Sequence, residues 1–451
     1  MMSMEPVDDT IVALSSAGGT AAVALIRLSG PDAESIADQI TDGAAGKALE
    51  RRATRAKIRE AGGRVVDDVL LTVFRGSRSF TGEPVVEFAC HGGRLITRKV
   101  LERLTEAGAR HAGPGEFTQR AFFHGKLDLT QAEAVMDLIS AQSDLALRAA
   151  HEQLEGRIGQ QTERLREELI GTVAHLEAWI DFPEEDIDPD TGAGFLKRLV
   201  ELREGIARLL ATAEQGRVLR EGVRTVLCGL PNAGKSSLLN LLLGAERAIV
   251  SEEAGTTRDT IEETIVLEGV PLRLVDTAGL RGEAGGIEKE GMRRTLLEAG
   301  RADLLLVVVD ATLSPGEAEP HLPETTARRV TIVNKADLGE HPGWAGHAGV
   351  RLSCTTGEGM PELRAAIREA LDFGEADWGE HSVAINGRHR DCLRKADEAL
   401  VRAAALLEMS AAPELAALEL REGLDALGEI AGKVDAEEVL GAIFSRFCIG
   451  K

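Results

Sequence analysis

The sequence predicts a multidomain protein of mixed α/β and α classes. A small α+β domain comes first, followed by a helical domain into which a layered α/β domain is inserted. Three observations predict this. The first 122 residues alternate short apolar strands with helices. Helical periodicity runs from about residue 128 to 216 and returns from His389 to the end. Between these stretches stand a strand, a glycine-rich turn and a helix start, the unit that opens a parallel sheet. The expected domains are 1–122, 123–216, 217–375 and 376–451, with the two helical segments flanking the insert. At 451 residues the chain exceeds what one core accommodates.

Within the first domain, Thr10–Leu14, Ala22–Leu28, Asp68–Phe74 and Val85–Ala89 read as strands. Ile96–Ala107 reads as an amphipathic helix. Leu129–Ile139 keeps apolar residues at helical spacing, with Asp128 as its N-cap. The acidic break Asp181–Asp190 joins two long helices and reads as a solvated turn rather than a metal site.

The net charge of −22 argues against a simple nucleic-acid binder. Residues 1–126 carry 17 basic and 16 acidic side chains, so the negative excess lies downstream. The basic stretch Arg51–Arg59 is the first place to seek an RNA-facing surface; a solvated strand or loop fits it equally. No apolar run approaches the roughly 18 residues of a membrane span. The N-terminus lacks the basic and apolar regions of a signal peptide. The five cysteines have no C-x-x-C spacing and suit a reducing compartment, so a cytoplasmic location is expected.

Residues 229–237 read Gly-Leu-Pro-Asn-Ala-Gly-Lys-Ser-Ser and fit the phosphate-loop pattern G-x-x-x-x-G-K-[ST]. The apolar run Val226–Cys228 precedes it and Leu238–Leu243 begins a helix, which is the context the pattern needs. Backbone amides of Asn232, Ala233, Gly234, Lys235, Ser236 and Ser237 would wrap a phosphate. Lys235 adds charge, and the Ser236 hydroxyl can hold Mg²⁺.

Leu304–Asp310 and the run from Val330 read as successive parallel strands, the second leading into Asn334-Lys335-Ala336-Asp337. The Asp337 carboxylate can accept from N1–H and the 2-amino group of guanine. Adenine lacks both donors, and an unpaired buried acceptor costs about 1–3 kcal/mol. Asn334 and Lys335 belong to the same base site, and Ser353, Cys354 and Thr355 form the loop behind the base. Asp276-Thr277-Ala278-Gly279 follows the strand Leu272–Val275, with Asp276 near the Mg²⁺ shell and the Gly279 amide near a γ-phosphate. Thr257, in Gly255–Asp259, is the second Mg²⁺ hydroxyl. Loops held by a γ-phosphate form an order–disorder switch. Together these motifs predict a Ras-like P-loop GTPase domain. Leu280 stands where Ras-like enzymes place a water-orienting glutamine, so water must be positioned otherwise. Arg258 and Arg281 are the nearest arginine-finger candidates, though solvated switch residues describe them better.

Three further stretches resemble the MnmE (TrmE) family of tRNA-modification GTPases. They are the C-terminal Phe447-Cys-Ile-Gly-Lys451, the segment Pro114–Phe122 with Gly125–Ala134, and Asp9–Ala13 with Ile26–Gly30. The resemblance spans the whole chain. It implies a homodimer that forms a heterotetramer with the FAD-dependent protein MnmG (GidA). It implies GTP, Mg²⁺, K⁺ and a tetrahydrofolate derivative (5-formyl or 5,10-methylene) as cofactors, and tRNA as substrate. Together the partners would build an aminomethyl-type group at C5 of the wobble uridine. Arg27, Glu87, Lys126 and Lys451 match the family's folate contacts. Asn232, Ser251, Glu253 and Thr256 match its K⁺ site, Glu288 its water-orienting carboxylate, and Cys448 its near-terminal thiol. The chain departs from the family at His124, where asparagine is common, and in the Gly-rich spacer Arg281–Ile287. The alternative is a ribosome-assembly GTPase similar to Era or Der, which predicts neither a folate site nor this C-terminus. A structural scaffold with a vestigial site is disfavoured by Lys235, Ser236 and Asp337.

Overall fold

The computed structural model describes residues 9–181, 193–245, 248–249, 262–275, 297–320, 322, 325–371, 384–409, 413–433, 437–445 and 447–450. The chain divides into two compact units: Met1–Met136 with Gln153–Ile206 and Asp391–Lys451, and Asp137–Glu152 with Ala207–Arg390.

The first unit opens with strands β1 (Ile11–Leu14), β2 (Val23–Ser29), β3 (Thr54–Arg59), β4 (Val65–Phe74), β5 (Val85–His91) and β6 (Arg110–His111). They form one sheet in the order β3-β4-β5-β2-β1-β6, antiparallel except for the β1–β6 pair. Alternation places Ile26, Leu28, Val69, Leu71, Val86 and Phe88 on one face. The helices Ala33–Ile40 and Arg94–Glu106 cover that face with Ile36, Ile40, Val100 and Leu104. At the β1 end the other face packs Ile11 and Ala13 against Phe117 of the helix Glu116–Phe123.

All four expected strands are present; β3 falls in the basic stretch, where the sequence leaves strand and loop open, while β6 and the helix Ala33–Ile40 have no counterpart among the expected elements. The strand β3 alternates small buried residues with Arg and Lys, which masks its apolar signal. It carries the basic stretch, and its arginines are already paired: Arg55 with Asp68 at 2.5 Å and Arg59 with Asp42 at 2.5 Å. A charged edge strand of this kind resists pairing with other strands.

The helical part of this unit contains Arg157–Asp181 and Pro413–Ala431 in close contact. Ile158, Thr162, Leu169, Val173 and Leu176 line one face of the first, the spacing of an amphipathic helix. At Gly423 of the second, an added Cβ would lie 3.7 Å from Leu169 Cδ2 of the first and 3.5 Å from Ala399 Cβ on the helix Gly387–Glu408, ordinary contact distances. Asp128 caps the helix Leu129–Ser140 as anticipated. Its Oδ1 accepts from the Gln131 amide at 2.8 Å and Gln131 Oε1 accepts from the Asp128 amide at 3.0 Å, a reciprocal capping box.

The second unit holds a sheet of β7 (Val223–Cys228), β8 (Ala248–Ile249), β9 (Glu262–Leu267), β10 (Val270–Val275), β11 (Leu304–Asp310), β12 (Arg328–Asn334) and β13 (Val350–Leu352). Its order is β13-β12-β11-β7-β10-β9-β8, parallel from β13 to β10 and antiparallel at β9 and β8. The central strands β7 and β11 are buried on both faces, which explains the unbroken apolar run Leu304–Val309 of β11. Leu238, Leu242, Leu363 and Ile367 pack on one face; Val226, Val307, Val309 and Trp344 belong to the core on the other. In such sheets loops at the carboxyl ends of the strands form the ligand crevice. Among the described residues no helix is long and apolar enough to cross a membrane.

Candidate functional site

The phosphate-loop segment leaves β7 at Gly229 and enters the helix Lys235–Ala245. Two glycines are fixed by close approach. A Cβ at Gly229 (φ +153°) would lie 2.3 Å from the Val308 carbonyl oxygen on β11. A Cβ at Gly234 (φ +104°) would lie 2.1 Å from Asn334 Nδ2. Asn232 holds a left-handed φ of 63° and is exposed. Ala233 is buried. The Leu238 amide donates to the Gly234 carbonyl at 2.8 Å, starting the helix. Lys235 Nζ donates to the carbonyls of Gly229 and Leu230, each at 3.0 Å, so its ammonium is held over the loop. Ser236 and Ser237 are exposed on the first helical turn. This is an amide-rich, positively polarised helix start that suits an anion.

Asn334 ends β12 and is 2% exposed. Its Nδ2 donates to the Ala233 carbonyl at 2.8 Å, and its Oδ1 accepts from the Cys354 amide at 3.1 Å. One carboxamide therefore joins the phosphate loop to the loop after β13. Lys335 adopts a left-handed φ of 66° and pairs with Asp310 at 2.5 Å. Asp337 is exposed in the short 3-10 turn Ala336–Leu338. Ser353 is buried; its carbonyl accepts from Gly357 at 2.8 Å and its hydroxyl from the Thr356 amide at 3.2 Å. Thr355 is exposed beside it. Burial first, and then the Asp337 charge, push the Cys354 thiol up to about 11, so it is protonated at neutral pH. The carboxylate and the thiol thus share one microenvironment. Ser251, Glu253, Thr256, Thr257, Asp276, Thr277, Ala278, Gly279, Leu280 and Glu288 lie outside the described residues, as do Arg258 and Arg281.

In the other unit, Arg27 on β2 stands opposite Glu87 on β5, and Arg27 Nε donates to Glu87 Oε1 at 2.9 Å. Their side chains are 17% and 21% exposed. The guanidinium also lies 5.8 Å from the ring centres of Phe80 and Phe117. Lys126 Nζ donates to the Ser77 carbonyl at 2.8 Å, and His124 Nδ1 is 2.8 Å from the Thr81 carbonyl oxygen. Both side chains therefore brace the loop between β4 and β5.

The C-terminal segment is anchored rather than frayed. Phe447 is buried with Leu129, Leu440 and Phe444. The Gly115 amide approaches the Cys448 carbonyl at 3.4 Å, and Ile449 forms a bridge with Pro114. A Cβ at Gly450 would lie 2.3 Å from the Leu14 carbonyl oxygen, next to the residue that pairs with Arg27. Cys448 is a free, exposed thiol, and Lys451 lies outside the described residues.

Sequence reasoning missed two groups. Asp310 is one. The other is an ionic cluster at Arg120, whose guanidinium is 9% exposed. It contacts Asp9 at 2.6 Å, Glu116 at 2.9 Å and Glu83 at 3.2 Å, while Arg110 pairs with Asp9 and Glu116 at 2.6 and 2.7 Å. The signal was present, since Glu116 and Arg120 fall at i, i+4 within Pro114–Phe122.

The family model for the MnmE helical domain matches residues 129–448, and the model for the GTP-binding protein TrmE N-terminus matches residues 10–126. The tRNA modification GTPase MnmE of Akkermansia muciniphila is 52% identical over 444 residues, 98% of this chain and 99% of that protein. The protein of the same name from Geobacter sulfurreducens is 42% identical over 99% of this chain and 100% of that one. The solved G domain of the T. maritima FeoB iron transporter is 26% identical, covers 33% of this chain and 99% of that chain, and has a TM-score of 0.25. With one family model covering well over half its length and relatives matching from end to end, the chain belongs to the MnmE family of tRNA modification GTPases.

Proposed function

We propose that this tRNA modification GTPase is activated by K⁺ and acts as a homodimer with an FAD-dependent partner of the MnmG (GidA) type. The pair installs an aminomethyl or carboxymethylaminomethyl group at C5 of the wobble uridine of tRNA, in the cytoplasm. The segments 1–122, 123–216, 217–375 and 376–451 serve as folate-binding and dimerisation, helical, GTPase and second helical domains. The observation that carries the reading is the Asn334 bridge between a phosphate loop and a Cys354 loop beside Asp337, in a chain whose relatives match it end to end.

Among the described residues, Asn232, Lys235, Ser236, Asp337, Arg27, Glu87 and Lys126 carry side chains suited to the groups this reading needs. Asn232, exposed at the outer turn of the loop, can offer a carboxamide oxygen to K⁺ beside the phosphates, with Ser251, Glu253 and Thr256 completing the set. When bound, the cation supplies charge that an arginine finger supplies elsewhere. Ser236 and Thr257 would hold Mg²⁺, with Asp276 in its shell. Lys235 would leave its two carbonyl partners for the phosphates. Asn232 through Ser237 and Thr277, Ala278 and Gly279 would contact phosphate. Asp337 accepts from the guanine edge, with Asn334, Lys335, Ser353, Cys354 and Thr355 around it. Glu288 orients water in place of the glutamine that Leu280 replaces. On the N-terminal sheet, Glu87 suits the donor edge of a pterin. Arg27, Lys126 and Lys451 suit the carbonyl and carboxylate groups of a tetrahydrofolate derivative. Cys448, on the anchored tail, is a candidate for a chemical role at that site.

Hydrolysis measured in K⁺ and in Na⁺ tests the cation role: equal rates refute it. Mass spectrometry of tRNA nucleosides from a deletion strain tests the biological role, and unchanged wobble uridines refute it.

A further inference from the structure

We propose that Asp310 is a positioning residue for the nucleotide base, acting through Lys335. This rests on the guanine-site reading above and adds a residue to it. Asp310 is the last residue of β11 and lies in register with Asn334, the last residue of β12. The Ala311 amide donates to the Asn334 carbonyl at 2.8 Å, so the two strand ends are locked together. The Asp310 carboxylate is divided between two tasks. Its Oδ1 accepts from the Thr312 amide at 3.0 Å and from the Thr312 hydroxyl at 2.7 Å, which fixes its rotamer. Its Oδ2 pairs with Lys335 Nζ at 2.5 Å. The carboxylate is 14% exposed and the lysine side chain 31%. Burial opposes its charge, but the Lys335 and Thr312 hydrogen bonds outweigh burial and hold the carboxyl below the usual range.

Lys335 is thus held at both ends. Its backbone sits in the left-handed region between Asn334, which grips the phosphate loop, and Asp337. Its ammonium is pinned across the gap to β11. With its backbone at the end of β12 and its ammonium at the end of β11, the four methylenes between run along the carboxyl edge of the sheet. An aliphatic stem pinned at both ends offers an apolar surface to a purine ring, whereas a free lysine must be ordered from many rotamers at each binding event. The residue pair separates two jobs: Asp337 reads the edge of the base, and Asp310 sets the wall against which its face lies.

The test is a double-mutant cycle on the full-length chain, read by calorimetric titration with GDP. Asp310→Ala is expected to weaken GDP about tenfold, and Lys335→Ala by a similar factor. In the Lys335→Ala background, Asp310→Ala is expected to change affinity by less than about twofold. Affinity for inorganic triphosphate, which has no base, is expected to be the same in wild type and Asp310→Ala. Equal losses in both backgrounds, no loss in either, or a matching loss of triphosphate affinity would each overturn the proposal. Asp310→Asn keeps an acceptor for Thr312 and removes the charge; it replaces Asp310→Ala if circular dichroism shows that variant unfolded. Wild-type titrations with GDP and ADP separate the two levels. Equal affinities refute the guanine-site reading itself, whereas GDP selectivity with an additive cycle refutes only the role of Asp310.

Discussion

Asn334 and Ala233 are 101 positions apart, yet the carboxamide of one donates to the carbonyl of the other at 2.8 Å. The same side chain accepts from Cys354, so three loops share one buried group. Replacing Asn334 by Ala strands the Ala233 carbonyl and the Cys354 amide, each costing about 1–3 kcal/mol if left unpaired. GDP affinity is expected to fall at least tenfold, and global stability by about 2–6 kcal/mol if neither group finds a new partner. Calorimetric titration beside a urea melt checks this; an unchanged Kd means the bridge does not shape the site.

Two left-handed glycines separate crowding from backbone preference. At Gly234 a methyl group would sit 2.1 Å from Asn334 Nδ2, while at Gly125 (φ +65°) nothing lies within 4 Å. Gly125→Ala therefore meets only the left-handed penalty, about 1–2 kcal/mol. Gly234→Ala must also displace the Asn334 bridge and is expected to abolish measurable GDP binding. Nucleotide titration and thermal melts of both variants decide the matter, and GDP binding by Gly234→Ala at wild-type affinity would contradict the packing argument.

The parallel sheet was legible because its central strands are buried on both faces, as at Leu304–Asp310, leaving continuous apolar runs. The phosphate loop was legible because its glycines are forced by sterics that leave no choice of residue. The strand Thr54–Arg59 could not be told from a loop, because at a sheet edge its outward positions hold charge that dilutes the pattern. The Asp310–Lys335 pair was not legible, because it joins the ends of two strands that only the tertiary register brings together. The anchoring of Phe447 was also invisible, since a short C-terminal segment carries no periodicity.

Phe447 is 7% exposed against Phe444, Leu440 and Leu129, and its side chain wedges beside Gly115. Phe447→Ala removes that wedge at a cost of about 3–5 kcal/mol if the cavity does not collapse. The loss is expected to concentrate in the tail. Hydrogen exchange of residues 447–450 should accelerate far more than that of the sheet β1–β6. Uniform acceleration of both would mean that Phe447 supports the whole unit rather than the tail.

The Arg120 cluster predicts a pH dependence with a definite sign. Burial raises the carboxyls of Asp9 and Glu116, but hydrogen bonds from Arg110 and Arg120, joined at Glu116 by the Gly113 amide, prevail and hold both below the usual range. Groups depressed in the folded state contribute stability above their unfolded values, about 3.9 for Asp and 4.3 for Glu. That contribution is lost as pH falls through the lower folded values. Arg120→Met removes one cation from among three carboxylates while Arg110 remains, and breaking a buried pair in this way costs about 3–5 kcal/mol. The cost should be full at pH 7, where Asp9 and Glu116 are charged, and should shrink below pH 4 as these two take up protons. The acid transition of the variant should therefore begin at a higher pH than that of the wild type. Urea denaturation of both chains at pH 7 and pH 3.5, followed by circular dichroism, measures the gap directly. A gap equally wide at both pH values would show that Arg120 stabilises the unit by packing its side chain rather than by neutralising its neighbours.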